Sequence, residues 1–195
     1  MGPINHIFSL LCQFENFIDN IKIFTSKKNT DNHLLVFVYS LGPEIINFLK
    51  LNLCSYKLSL MDITGVDLTK LNNYNLFFNV GDTYLAPKLF ERCIIYNVID
   101  YSNNGRYGFF YFMPEKLYSC SVSDFFYNAH WLERELVEFF NVNIIARSDT
   151  RNLLLDYNFT GNPLLKHYPT EGHREIFFNH LSYNLEYVNN EFIEL

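Results

Sequence analysis

The sequence predicts an α+β fold, in which a small mixed or antiparallel sheet is flanked by helices and followed by a long extended C-terminal tail that docks on a partner. Three observations lead to this prediction. Short segments rich in β-branched and aromatic residues are grouped together instead of alternating with helices. An Asn-Asn-Gly turn at 103–105 separates two of these segments, as in a hairpin. After Asn141 the periodicity is lost but large apolar side chains continue, and such a segment cannot fold alone, so it must lie on a partner or, as the alternative, pack back on its own domain.

Helices are predicted on both sides of the strand-rich region. Residues 4–21 place Ile4, Ile7 and Leu11 on one apolar stripe at helical spacing, together with apolar residues in the next two turns. Residues 121–140 form the second predicted helix. Pro43 favours the start of a short helix over 43–50, because its missing N–H is not needed in the first turn.

The apolar and aromatic segments predict five strands. They span residues 34–39, 57–63, 75–80, 93–99 and 106–113. The last two are expected to form a hairpin. The pattern as a whole divides the chain into an N-terminal helical segment at 1–24, an α+β domain at 25–145 and an extended partner-binding tail at 146–195.

Composition narrows the possible functions. The chain has 195 residues, 49% of them hydrophobic, with 20 Phe and 14 Tyr, so a large core is available without disulfides or metals. The net charge of −6 argues against nucleic acid as a partner. No apolar run approaches the ~18 residues of a membrane span. The four cysteines lack CxxC spacing and the histidines lack HxxxH spacing, so we expect neither a zinc site nor an iron–sulfur cluster.

The amino-acid composition is biased toward residues with A/T-rich codons, which suggests where the chain is synthesised. Only three alanines occur, while Phe, Tyr, Ile, Asn and Lys are abundant, which is typical of an A/T-rich genome such as that of an organelle. The first arginine is Arg92, whereas an imported mitochondrial precursor begins with an Arg-rich segment. We therefore expect synthesis inside the organelle in which the protein works.

The densest group of charged residues follows the single tryptophan. Helical spacing predicts an ion pair between Arg134 and Glu138. Glu133 and Glu135 are two residues apart and point in different directions, which disfavours an acid/base pair. We interpret these residues as charged flanks of a packed helix, or as charges that meet a partner subunit. The alternative is a stand-alone hydrolase that uses Glu133, Glu135 and His130.

Two linked motifs begin in this segment. The first is Glu-Arg-Glu, two residues, an acidic residue and two bulky apolar residues; the second contains Asp-Tyr, Gly-x-Pro, a lysine and Pro-x-x-Gly. Their residues, in chain order, are Glu133, Arg134, Glu135, Glu138, Phe139, Phe140, Arg151, Asp156, Tyr157, Gly161, Pro163, Lys166, Pro169, Gly172 and Glu175. Upstream, residues 61–67 contain a Thr-x-x-Asp sequence that closes a predominantly apolar segment. This combination resembles the 30-kDa subunit family of respiratory complex I, which includes mitochondrial NADH dehydrogenase subunit 9 and its bacterial counterparts.

The resemblance implies a non-catalytic core subunit in the hydrophilic arm of proton-translocating NADH:ubiquinone oxidoreductase, within its quinone-reducing module. It implies that the chain binds no cofactor, and that its tail lies over the 49-kDa subunit beside other hydrophilic-arm subunits. The expected location is the matrix side of the mitochondrial inner membrane, as a peripheral part of a hetero-oligomer. The signature residues would be structural and interfacial. Asn141 stands where the family usually has glycine, and Asn tolerates the left-handed conformation that ends a helix. An adaptor outside respiration is a further alternative.

Overall fold

The computed structural model describes residues 22–27, 33–39, 58–69, 91–101, 105–113 and 118–190. Nine strands and one helix occur in these ranges. In chain order they are β1 (Lys22–Lys27), β2 (His33–Tyr39), β3 (Leu58–Asp67), β4 (Arg92–Asp100), β5 (Gly105–Met113), β6 (Ser119–Cys120), α1 (Ala129–Phe140), β7 (Ile144–Ile145), β8 (Arg174–Asn179) and β9 (Asn184–Asn189). Among the described residues, no helix is long and apolar enough to cross a membrane.

The main sheet has five strands in the order β1-β2-β5-β4-β3. Strands β2 and β5 run parallel, while the other neighbouring pairs are antiparallel. The sheet is therefore mixed, which confirms the predicted α+β class. The predicted hairpin is also confirmed, because β4 and β5 pair from Arg92 with Met113 to Asp100 with Gly105.

Helix α1 packs on one face of this sheet. Alternate residues of β3, β4 and β5 form the buried core together with Ala129 and Leu136 of the helix. The helix packs closely on β3 at Gly65, where an added Cβ would lie 2.7 Å from the Phe140 ring. A glycine is required here because any side chain would push Phe140 out of its place.

Helix α1 ends as the sequence predicts. Asn141 has a φ of 51°, in the left-handed region, and its N–H donates to the Val137 carbonyl over 3.0 Å. The Asn141 carbonyl accepts from Nη1 of Arg92 at 2.8 Å, which ties the helix end to β4. The missing glycine is thus replaced by the residue type that tolerates this conformation best.

The start of the helix differs from the prediction. Residues 121–128 form turns, and α1 begins only at Ala129. The polar side chains of this segment bind elsewhere: the Ser121 hydroxyl lies 2.7 Å from that of Ser123, and Asn128 Nδ2 donates to the Leu60 carbonyl at 2.7 Å. Such bonds compete with helix formation, which is the reason that the predicted helix is too long.

Two further predictions need correction. Residues 22–24 belong to β1, so the helical segment predicted at 1–24 is too long at its C-terminal end. The tail is not extended throughout, because β8 and β9 form an antiparallel hairpin. Its turn is closed by Asn179 and Ser182, which both donate to Glu186. The helices predicted at 4–21 and 43–50 and the strand at 75–80 lie outside the described residues.

Candidate functional site

The charged residues that are predicted to flank the packed helix α1 are mostly buried. Glu133 is 2% exposed, Arg134 is 8% and Glu138 is 6%, whereas Glu135 is exposed. A buried charge is tolerated only when it has hydrogen-bond partners. Each of the three buried groups has such partners, and the residues after the helix supply most of them.

Arg134 binds the segment that follows α1. Its Nε donates to the Arg151 carbonyl at 3.0 Å and its Nη2 to the Asn152 carbonyl at 2.8 Å. Its Nη1 lies 3.5 Å from a carboxylate oxygen of Asp149, which also binds the exposed Arg151 at 2.7 Å. Hydrogen bonds from Arg151 hold the pKa of Asp149 well below its usual value. The guanidinium thus recognises two backbone carbonyls and one acid.

Glu138 binds the backbone of the same segment. Its carboxylate accepts the N–H groups of Leu153 at 3.0 Å, Leu154 at 3.1 Å, and Leu155. The predicted Arg134–Glu138 ion pair is therefore wrong. Among the residues that the structure describes, the ion pairs of this region are those of Asp149. The segment offers its carbonyls to the arginine and its N–H groups to the glutamate, so each charge has other partners.

Glu133 binds on the opposite side, toward the turn before α1. Its oxygens accept from the Ser121 hydroxyl and the Val122 N–H, both at 2.6 Å. Burial raises the pKa of Glu133, and these bonds and the charge of Arg147 offset only part of that shift. His130 lies with its Nδ1 3.3 Å from the Ser148 hydroxyl. Both oxygens of Glu133 thus accept hydrogen bonds from groups inside the fold.

A second buried carboxylate, at the end of β3, binds the chain farther along. Asp67 accepts the Lys166 N–H at 2.7 Å, and the N–H and hydroxyl of Thr69 at 2.9 and 2.7 Å. Burial alone raises the pKa of Asp67, but the bonds from Lys166 and Thr69 outweigh it, so the net shift is downward. Between these points, Asn162 Nδ2 donates to the Glu138 carbonyl at 2.8 Å, at the C-terminal end of the helix.

We call residues 149–168 the strap, because their backbone is bound by Arg134 and Glu138 at one end and by Asp67 at the other. The strap contains most of the second motif. Gly161 has a φ of 119°, and an added Cβ would meet the Tyr168 ring at 2.5 Å. Glycine is required there by both conformation and space.

The remaining motif residues lie in the last turn of α1, in the strap and just after it, in mixed environments. Phe139, Phe140, Pro163, Lys166, Pro169 and Gly172 are half-buried, whereas Arg151, Asp156, Tyr157 and Glu175 are exposed. Gly172 has a φ of 76° and its N–H donates to the Pro169 carbonyl at 3.0 Å, which closes a turn before the hairpin. The structure therefore brings Arg134 and Glu138 of the first motif against the strap, which carries most of the second motif, whereas Glu135, Arg151, Asp156, Tyr157 and Glu175 lie at the surface.

Sequence reasoning does not place three of these residues in the site. Asp67 stands out only as the end of a strand motif, and Asp149 has no pattern of its own. Asn162 gives no signal at all, since an amide in an irregular segment matches no pattern. Among the described residues, no group of three or more His, Cys, Asp or Glu side chains is arranged to hold a metal ion.

Many of the exposed side chains of the strap and the hairpin are large and apolar. Large side chains of the strap face outward, namely Leu154, Tyr157, Phe159 and Leu164. The hairpin exposes more of them: Ile176, Phe177, Phe178, Leu181, Tyr183, Leu185, Tyr187 and Val188. Exposed apolar area of this extent typically marks a protein–protein contact surface.

Comparisons with known proteins agree with the motifs. The family model described as "Respiratory-chain NADH dehydrogenase, 30 Kd subunit" matches residues 42–174. NADH-ubiquinone oxidoreductase subunit 9 of Paramecium primaurelia is 34% identical over 177 residues, which are 90% of this chain and 81% of that protein. The mitochondrial 30.4 kDa subunit of Neurospora crassa is 29% identical over 146 residues, 74% of this chain and 46% of that protein.

A solved structure has the same fold at low identity. The trypsin-resistant fragment (1-134) of Nqo5 superposes with a TM-score of 0.50 and 18% identity, over 76% of this chain and 99% of that one. The family match covers α1, the strap and the five-stranded sheet from β3 onward, and it ends where β8 begins. This chain belongs to the 30-kDa subunit family of respiratory-chain NADH dehydrogenase.

Proposed function

We propose that this chain is a non-catalytic core subunit in the quinone-reducing module of proton-translocating NADH:ubiquinone oxidoreductase, and that its C-terminal part lies on the 49-kDa subunit. Family membership supports the first part of the proposal, because relatives across 90% of the chain are subunits of NADH-ubiquinone oxidoreductase. The second part rests on the surface of the molecule.

The observation that carries the docking proposal is the apolar outer side of the strap and the hairpin. Tyr157 is 75% exposed and Leu181 is 94% exposed, although large apolar side chains usually lie inside a fold. Covering a side chain of this size contributes ~1.5–3 kcal/mol of transfer free energy. A partner that covers several of them gains enough to hold the chain in a permanent complex.

The proposed role is mechanical. Arg134 and Glu138 fix the strap to α1, and α1 is packed on the sheet, so a partner bound to the strap is held at a defined position relative to the domain. Geometry near an electron-transfer or quinone site matters because small misplacements lower reaction rates strongly. In this proposal the chain binds no cofactor, and the buried glutamates are structural.

The names of fungal relatives indicate a mitochondrial protein. We place it on the matrix side of the inner membrane, as a peripheral subunit encoded by the organelle. Low alanine and arginine content supports the last point.

The test is a native gel of detergent-solubilised mitochondrial membranes, stained for NADH oxidation and followed by mass spectrometry. We expect this chain in the active high-mass band together with the 49-kDa subunit. A photo-crosslinker at Tyr157 should give an adduct with that subunit. Tyr101, which is also exposed but follows β4, serves as the comparison position.

Two results would contradict the proposal. Recovery of the chain only as a free small protein would reject membership in the complex. Recovery in the complex without a 49-kDa adduct from either Tyr157 or Leu164 would reject the docking surface while leaving membership intact.

A further inference from the structure

The strap is held by two carboxylates that belong to different elements. Glu138 lies in the last turn of α1, and Asp67 is the last residue of β3. Both side chains are buried and both accept backbone N–H groups of the strap. The bound N–H groups lie between Leu153 and Lys166, a range that covers most of the strap.

The first of these sites fixes the backbone from two directions. Glu138 accepts three successive N–H groups, from Leu153 to Leu155, while Arg134 donates to the carbonyls of Arg151 and Asn152. These contacts are to backbone atoms, and Arg134 Nη1 also lies 3.5 Å from the carboxylate of Asp149, the first residue of the strap. The site therefore binds mainly the conformation of the strap, with one side-chain contact.

The second site closes the other end. Asp67 accepts the Lys166 N–H. Four residues earlier in the strap, the Asn162 side chain donates to the Glu138 carbonyl of α1. Leu165, next to Lys166, is 5% exposed and adds apolar burial at this end. The inner side of the strap is thus bound by groups of its own domain at both ends, and its outer side carries the exposed apolar residues.

We infer that the strap is already fixed on its own domain before any partner is present, so that it docks as a preformed surface and does not fold upon binding. Glu138 and Asp67 are positioning residues for that surface. Buried carboxylates and backbone groups that lose their partners are costly, which keeps the strap closed. A surface fixed in advance loses less conformational entropy when it binds. Only the docking step in this inference rests on the proposed function.

Trypsin gives a direct test, because each end of the strap contains a cleavage site. The side chain of Arg151 is exposed and accessible to the protease, but its carbonyl is held by Arg134. The full-length chain, made by cell-free synthesis at nanomolar concentration without other subunits, is digested and its fragments are identified by mass spectrometry. We expect cleavage after Arg151 and Lys166 to be at least ~10-fold slower than in a synthetic peptide of residues 149–168.

Substitutions at the two carboxylates should change the rate of trypsin cleavage at different peptide bonds. Glu138→Gln is expected to accelerate cleavage after Arg151 at least ~5-fold and to leave cleavage after Lys166 unchanged, since it releases only the first end. Asp67→Asn is expected to do the reverse. Glu135→Gln, at an exposed position of the same helix, should change neither rate.

Cleavage after Arg92 and Arg106, within β4 and β5, reports global unfolding and should stay slow in all three variants. Arg134→Lys, which keeps the charge but loses the forked donor, should accelerate cleavage after Arg151 even if Glu138→Gln does not fold. Strap bonds cut as fast in the free wild-type chain as in the peptide would overturn the inference. An equal increase in cleavage after Arg92, Arg106, Arg151 and Lys166 in the variants would also overturn it. Because no other subunit is present, these outcomes are independent of the native-gel and crosslinking tests.

Discussion

The strap and the β8–β9 hairpin are neighbours in the chain but are held in different ways. Buried charged and polar side chains of α1 and β3 bind the strap backbone near both of its ends. The hairpin is held by its own ladder and by Asn190, which binds the backbone of Glu171, Gly172 and His173. An isolated two-stranded hairpin is marginally stable in water. The strap is therefore secured within the chain, whereas the hairpin has most to gain from a partner.

The apolar residues of the hairpin show the same contrast. Ile176 lies opposite Tyr187, and Phe178 lies opposite Leu185, so these four residues share one face. All four are exposed. The other face is mixed, with Glu175 and Glu186 among its residues. Polar groups therefore fix the position of the tail within the chain, whereas apolar groups remain for contact with another chain.

The largest effect is expected from the apolar face of the hairpin. Phe178→Ser combined with Leu185→Ser should lower incorporation into the complex by roughly 100-fold or more, because each side chain accounts for ~1.5–3 kcal/mol when buried. The free energy of unfolding of the free chain should change by less than ~0.5 kcal/mol. Quantitative native gels and urea unfolding measure the two quantities. Asn184→Ser, on the other face, is the control, and equal loss in that variant would remove the distinction between the faces.

Removing a strap contact should instead affect the free chain. Glu138→Ala leaves the N–H groups of Leu153, Leu154 and Leu155 without their acceptor and should lower the free energy of unfolding by about 2–4 kcal/mol. Urea unfolding, monitored by circular dichroism, measures this free energy. Glu135→Ala should change the same quantity by at most ~0.5 kcal/mol. Similar values for the two variants would show that the buried carboxylate does not hold the strap.

A smaller effect is expected at the helix end. Asn162→Ala removes the donor to the Glu138 carbonyl and should cost about 1 kcal/mol of unfolding free energy. Hydrogen exchange should show faster opening of the strap in this variant, with the five-stranded sheet unchanged. Exchange that rises equally in the sheet would mean that the strap and the domain open as a single unit.

The smallest effect concerns pH. The pKa of Asp67 is lower in the folded chain than its ordinary value of 3.8, so this group adds stability above that pH and the contribution is lost as pH falls below it. Asp67→Asn should therefore show a smaller loss of unfolding free energy between about pH 5 and pH 3 than the wild type. The effect of Glu133 has the opposite sign: because the pKa of this group is raised in the folded chain, its contribution to the free energy of unfolding becomes more favourable as pH falls. An unchanged acid slope in Asp67→Asn would contradict the assignment.

Strands β2 to β5 and the β4–β5 hairpin are predictable because β-branched and aromatic segments and the Asn-Asn-Gly turn are local signals, whereas β1 is not among the predicted strands. Asn141 is likewise predictable as the helix end, since one residue type suits the left-handed conformation. The family motifs also identify Arg134 and Glu138 as important. What they do is not predictable, because their partners are backbone groups 15 to 18 residues away in an irregular segment.

The hairpin shows why the tail is predicted poorly. Its strands expose apolar residues on one face and leave the other mixed, so the alternation that usually indicates a strand is weak. The over-long helix at 121–140 has a different cause, because side chains of Ser121 and Asn128 compete with the helix through contacts that only the folded chain provides. In both cases the deciding interactions are tertiary.

One further consequence follows from the position of Trp131. It is the single tryptophan of the chain, and the Arg134 guanidinium lies 5.5 Å from the centre of its half-exposed ring. A cation held over an indole by fixed hydrogen bonds to Arg151 and Asn152 changes its surroundings when those bonds break. The tryptophan fluorescence of this protein, excited at wavelengths that its 14 tyrosines do not absorb, is therefore a single-site optical signal for release of the strap, and it is available without any label.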